Sequence, residues 1–163
     1  AHEKGQVFTL DLRILRGDEL VWSATQSLLR VGVKETTGAP YASQIVADAP
    51  LSCQTEFGAT ADIGRRYGAV SGDRNPIHMS ALSAKLFGFK RAIAHGMWTN
   101  ARALSCLLPS TPLEQGTLAV EFKTPLYLPG RASLWSARSD DGAFFEVRDA
   151  KGQKPHLRGQ LSY

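Results

Sequence analysis

Apolar and polar residues alternate near the start of the chain. Phe8, Leu10, Leu12 and Ile14 are separated by Thr9, Asp11 and Arg13, the period of two expected of a half-buried strand. Arg16-Gly17-Asp18-Glu19 reads as a turn, and a longer, mixed run over 20–33 reads as a second strand. Gly32, Gly38 and Pro40 close it. Residues 34–58 read as an irregular connection with one short strand around 43–47, and no chemistry is visible there.

The period then changes. Residues 60–70 suit a short helix that Thr60 can cap, with Ile63 and Tyr67 on one face. Asn75-Pro76 is a second helix start, a side-chain acceptor at the N-cap followed by Pro at the first helical position, and this helix should run towards Leu86 before Gly88-Phe89. The third helix has the clearest pattern. Ala94, Met97, Trp98, Ala101, Leu104, Ser105 and Leu108 recur at spacings of three and four, Ile93, Ala103 and Leu107 widen the stripe, and Pro109 ends it. A helix wrapped by a sheet reads this way. After Pro112 the period of two returns over 118–123, 131–138, 143–149 and 155–163. Leu128-Pro129-Gly130, Asp140-Asp141-Gly142 and Lys151-Gly152-Gln153 form the turns. A buried helix followed by antiparallel strands predicts an α+β fold.

The segment 67–97 concentrates the chemistry. Asp73, Asn75 and His78 lie within six residues, Asp73 in the turn before a helix and His78 in its first turn, so their side chains can converge. Gly72 permits the tight turn, and Ser71 and Asn75 supply local hydrogen bonds. His95-Gly96 opens the third helix, where main-chain N–H groups carry partial positive charge and a glycine admits a carbonyl group close to the backbone.

These residues resemble the signature of the MaoC-like dehydratases, the (R)-specific enoyl-CoA hydratases. The signature consists of a Tyr followed by Ser-Gly-Asp-x-Asn-Pro-(Ile/Leu)-His, with Gly-Phe and (Ile/Leu)-Ala-His-Gly-Met further on. Here it is met by Tyr67, Ser71-Gly72-Asp73, Asn75-Pro76-Ile77-His78, Gly88-Phe89 and Ile93-Ala94-His95-Gly96-Met97. The resemblance covers roughly 59–163. It implies a hot dog fold, a curled antiparallel sheet around a long helix, over 57–163. The opening hairpin, within 1–56, has the same strand–turn–strand outline as 144–162 and is expected to be the remnant of a degenerate first hot dog.

The resemblance further implies a hydro-lyase that adds water to trans-2-enoyl-CoA to give (3R)-3-hydroxyacyl-CoA. Asp73 and His78 would form the catalytic dyad, with Asn75 positioning the water. Asp73 is the expected principal base, although the sequence alone leaves open which of the pair serves C2. The Gly96 amide is the expected oxyanion donor. Ser71, His95 and Met97 are candidates for substrate binding, with a structural role favoured for His95 and a core position for Met97. Lys90, Arg91 and Lys123 are candidates for the coenzyme A phosphates. The expected partner is an acyl-CoA or acyl carrier protein thioester, with coenzyme A entering only as part of the substrate and no other cofactor. A homodimer is expected, because a single hot dog usually pairs its sheet with another. Two rival readings are a hot dog acyl-CoA thioesterase and a non-catalytic acyl-thioester-binding module. The first usually needs a carboxylate on the central helix, which has no Asp or Glu over 94–108.

Composition narrows the picture further. At 163 residues, 43% hydrophobic and 21% charged, the chain is suited to one packed domain. No apolar run approaches the roughly 20 residues of a membrane-spanning helix. No secretory pattern opens the chain, although it starts at Ala1-His2 rather than Met, so this carries little weight. The formal net charge of +4 is compatible with a thioester bearing phosphates, but scattered basic residues without interleaved aromatics exclude a nucleic-acid surface. Cys53 and Cys106 read as unpaired thiols of a cytoplasmic protein, Cys106 as a small buried hydrophobe. Histidines 2, 78, 95 and 156 show no metal-ligand spacing, so no metal is expected.

Overall fold

The computed structural model of the chain describes residues 1–43 and 45–163. It divides into two units, Ala1–Gln44 and Ile45–Tyr163.

The first unit is built on a long antiparallel hairpin of β1 (Gly5–Arg16) and β2 (Glu19–Val31), where the alternation predicts it. Its register sets Phe8 opposite Leu28, Leu10 opposite Gln26, Leu12 opposite Ala24 and Ile14 opposite Trp22. Because side chains alternate across a strand, these residues share one face of the ribbon. Phe8, Leu10, Leu12, Ile14, Trp22 and Leu28 are each 42–55% exposed.

The second unit runs β3 (Ser52–Ala59), α1 (Ile63–Ser71), α2 (Pro76–Met79), α3 (Ala81–Leu86), α4 (Gly96–Leu107), β4 (Thr117–Phe122), β5 (Gly130–Ser139), β6 (Gly142–Asp149) and β7 (Pro155–Ser162). The five strands form one antiparallel sheet in the order β3-β5-β6-β7-β4. The sheet packs on α4 through β6 and β7, as the α+β hot dog expectation requires. Leu134, Phe145, Val147 and Leu157 are fully buried between them, joined by Ala103 and Leu107 from the helix.

The structure corrects the sequence reading in several places. No strand forms over Ser43 and 45–47 (residue 44 lies outside the described residues); the strand is β3, inside the stretch read as irregular. A boundary between residues 56 and 57 therefore falls within β3, and the units divide at 44/45. The sequence of β3 alternates weakly, burying only Phe57 and Ala59, and the strand is fixed by its pairing with β5. The helix expected from Asn75 to Leu86 is two helices, because Ser80 adopts extended backbone angles and caps α3, its hydroxyl accepting from the Ser83 amide at 3.0 Å. Finally, the buried stripe of α4 is rotated. Thr99, Asn100, Ala103 and Leu107 face inwards, whereas Met97 and Leu108 are 54% and 45% exposed. Two polar residues on the inner face hid that stripe from a hydrophobic count. Cys106 is only partly buried, and both cysteines are free.

The hairpins β1–β2 and β6–β7 share one backbone device. Gly5 and Gly142 each open a strand with φ of 152°, and a Cβ at either would lie 2.0 Å from a carbonyl oxygen of the opposing strand, Arg30 or Leu161. On β7, Gly159 lies under the Phe145 ring, where an added methyl group would come within 2.3 Å of a ring carbon. Gly159→Ala should therefore overpack the core and destabilise the second unit by about 1–3 kcal/mol, read as an earlier transition in chemical denaturation; an unshifted midpoint would show that the ring relocates freely.

Candidate active site

The loop 72–75 and helix α2 are shaped by short-range hydrogen bonds. The Ser71 hydroxyl accepts from the Asp73 amide at 3.2 Å, one Asp73 carboxylate oxygen, Oδ1, accepts from the Asn75 amide at 3.0 Å, and the Asn75 side chain accepts from the Ile77 amide at 3.4 Å. Gly72 ends α1 in the left-handed conformation, at φ 78°. Asn75 is thus a helix cap, and it does not line the cleft described below.

This loop packs directly on the backbone of α1. A Cβ on Gly64 would sit 1.9 Å from the His78 carbonyl oxygen, and one on Gly68 would sit 2.8 Å from that of Asp73. Sequence reasoning passed over both glycines, although their spacing of four on a helix marks a face open to close backbone approach.

Asp73, His78 and His95 converge, each offering a donor atom within 4.8 Å of the others. The His78 imidazole is 8% exposed, and its Nδ1 donates to the Ile93 carbonyl at 2.8 Å. A carbonyl can only accept, so in the neutral ring Nε2 carries the lone pair. Burial, assisted by the neighbouring His95, holds the His78 pKa below the ordinary imidazole value; the Ile93 hydrogen bond and the Asp73 charge oppose this. The His95 ring is 2% exposed and stacks on His78 with centroids 3.7 Å apart. Its Nε2 donates to the Asp73 carbonyl at 3.0 Å and lies 3.7 Å from the other carboxylate oxygen, Oδ2. Tyr67 lies against its far side, with centroids 5.0 Å apart. The donor cluster is invisible in the linear spacing of the histidines. One nitrogen of each imidazole is committed to a carbonyl, and the second His95 nitrogen, Nδ1, is buried without a hydrogen-bond partner among the described residues.

These groups open into a cleft of about 380 Å³. Tyr67, Ser71, Asp73, His78, His95, Gly96, Met97 and Lys123 line it; Lys90 and Arg91 do not. Arg91 instead lies over the Tyr127 ring, 5.7 Å from its centroid. Lys123 pairs with Glu121 at 2.5 Å. Gly96 is the first residue of α4, whose leading N–H groups lack intrahelical acceptors. The Phe122 ring covers Gly96 so closely that a Cβ there would lie 2.5 Å from it. Phe122, Leu126 and His156 complete the wall and were not singled out by sequence, because they come from strands and loops distant in the chain. The His156 pKa is also held down by burial.

An acid, an imidazole and a helix N-terminus line one largely apolar cleft on a hot dog scaffold, an arrangement that suits general acid–base chemistry. The MaoC like domain model matches residues 43–158, and the chain belongs to that family. It is 33% identical over 157 residues to 3-hydroxyacyl-thioester dehydratase X of Mycobacterium tuberculosis, covering 96% of this chain and 55% of the relative. The crystal structure of HtdX from M. tuberculosis superposes with a TM-score of 0.75 at 30% identity, over 98% of this chain and 60% of that one. An R-hydratase from Pseudomonas aeruginosa shares the fold at a TM-score of 0.56 and 22% identity, over 71% of this chain and 79% of that one. The chain thus spans somewhat over half the length of its M. tuberculosis relatives. No helix among the described residues is long and apolar enough to cross a membrane.

The buried histidines set a pH dependence. A pKa lowered by folding means that the unfolded chain binds the proton more readily, so the stability due to His78 and His156 is complete above about pH 6.5 and falls as the pH drops through their folded values. Thermal unfolding across about pH 5 to 8 should show a falling midpoint on the acid side, flattened in a His156→Gln variant; an unchanged acid slope would assign the effect elsewhere.

Proposed function

We propose that this chain is a hydro-lyase that adds water to a trans-2-enoyl thioester to give the (3R)-3-hydroxyacyl thioester, and catalyses the reverse dehydration. The observation that carries this reading is the opening of the Asp73 carboxylate and the His78 Nε2 face into one cleft beside the N-terminus of α4. A water held between Asp73 and His78 gives up a proton to one of them while its oxygen bonds to C3. The C2–C3 π electrons move towards the thioester oxygen, where the Gly96 N–H stabilises the developing enolate. C2 then takes a proton from the same pair, so both parts of water are added and the dyad returns to its starting charge. Asp73, the more exposed of the two, is the principal base; neutral His78 orients the water through Nε2 and relays the proton.

The reaction needs only these side chains, with coenzyme A or an acyl carrier protein arriving as part of the substrate. Met97 and Phe122, both 54% exposed, border the acyl path, and Lys123 contacts the anionic end. Lys90 and Arg91, outside the cleft, serve phosphates only beyond its mouth. Pairing with a second hot dog, in a homodimer or within a longer chain whose first hot dog ends in β1–β2, completes the assembly; the shared glycine device of the two hairpins supports the latter. Two free thiols fit a reducing, cytoplasmic setting. The thioesterase reading is the weaker one, because α4 presents Thr99 to the cleft and carries no carboxylate.

Hydration of crotonyl-CoA and of a longer trans-2-enoyl-CoA, followed as loss of enoyl absorbance, tests the proposal. Asp73→Asn and His78→Gln should each lower kcat by about 100-fold or more with circular dichroism unchanged. A folded wild-type protein inert on both substrates overturns the assignment.

A further inference from the structure

The two halves of the motif hold each other by their histidines. His78, from the first half, donates to the main-chain carbonyl of Ile93 in the second. His95, from the second half, donates to the main-chain carbonyl of Asp73 in the first. The two rings lie face against face, their planes 27° apart. We propose that His95 is a positioning residue: without touching substrate, it completes a reciprocal clasp that fixes the Asp73 main chain, and with it the carboxylate that the proposed hydration uses.

The geometry gives the Asp73 peptide little freedom. Its carbonyl oxygen lies between the His95 imidazole and the Gly68 backbone, the side where even a Cβ would intrude. Its amide is held by Ser71, and Oδ1 is tied to the Asn75 amide. Oδ2 is thereby directed towards the His78–His95 pair, and rotating the peptide would sweep it away. A displacement of about 1 Å at a reacting group can cost on the order of 100-fold in rate.

The same arrangement selects the state of His95. Its Nε2 must carry the proton to donate to a carbonyl. Its Nδ1 is buried and has no hydrogen-bond partner among the described residues. An N–H at that position would be a buried donor without a partner, the costlier kind of orphan. The titratable groups against its ring are His78, Asp73 and Tyr67, and Lys123 and His156 line the same cleft. In the neutral ring, therefore, Nε2 is the protonated nitrogen, and neither nitrogen of His95 is offered to a bound water.

Two substitutions separate the ring from its hydrogen bond. His95→Phe keeps the stacked ring and removes the donor; His95→Gln keeps an amide donor and removes the ring. On crotonyl-CoA, His95→Phe should lower kcat by about 10- to 100-fold with KM little changed, and His95→Gln should recover most of that loss. In both variants the acid limb of the rate profile should move to higher pH, because the neighbour that lowers the His78 pKa is gone. Wild-type kcat in His95→Phe, or equal losses in both variants, overturns the proposal. Nuclear magnetic resonance of the wild type tests the clasp without activity or mutation. The His95 ring should be the Nε2–H tautomer near neutral pH, with a through-hydrogen-bond coupling to the Asp73 carbonyl carbon; the Nδ1–H tautomer refutes it. An enzyme inert on enoyl thioesters that still shows this tautomer would sink the proposed function and leave the clasp standing.

Discussion

The site depends on two backbones lying closer together than side chains would permit. Helix α1 presents Gly64 and Gly68 to the segment 73–78, and the carbonyls of His78 and Asp73 rest where a Cβ would otherwise be. Any larger residue at Gly64 would have to push α2 outward, and the His78 imidazole would leave the Ile93 carbonyl with it. The side chains of the motif themselves carry little of this burden. Asp73 is exposed and Asn75 caps a helix of four residues, and neither could hold the loop without the flat helix face beneath it.

Two histidines that resemble each other in sequence have opposite hydrogen-bonding states in the fold. His78 gives Nδ1–H to a carbonyl and turns Nε2 to the cleft; His95 gives Nε2–H to a carbonyl and buries Nδ1. Each choice follows from which nitrogen meets a carbonyl, a group that can only accept. The contrast matches the separate roles proposed for the two rings, chemistry for one and architecture for the other, although both are nearly buried and in van der Waals contact.

How much of this was legible in the sequence differs by element. β1 and the strands of the β6–β7 hairpin follow from alternation, β2 only from its place after the turn, and Asp73, His78 and Gly96 line one cleft. The strand β3 was not legible, since its sequence buries only Phe57 and Ala59 and its stability lies in the β5 ladder. The face of α4 was misread because Thr99 and Asn100 are buried polar residues, which a count of apolar positions assigns to solvent. Met97, assigned by default to the core, lies exposed at the cleft for the same reason. The far wall was illegible in principle: Phe122 reaches the cleft through the β4–β7 pairing, His156 through the Lys123 amide and Leu126 through the Ala94 amide, long-range contacts no local pattern records.

The cleft wall also has a consequence for how such a protein changes over time. Every group given a place in the proposed proton chemistry comes from 67–97, one contiguous stretch of chain, whereas Phe122, Lys123, Leu126 and His156 come from the sheet side, beyond α4. On the proposed function, reactivity and selectivity are therefore written in separate passages of the gene, and substitutions in the later passage would reshape the acyl path without disturbing the clasp, letting a lineage trade one thioester for another while its reaction stays the same.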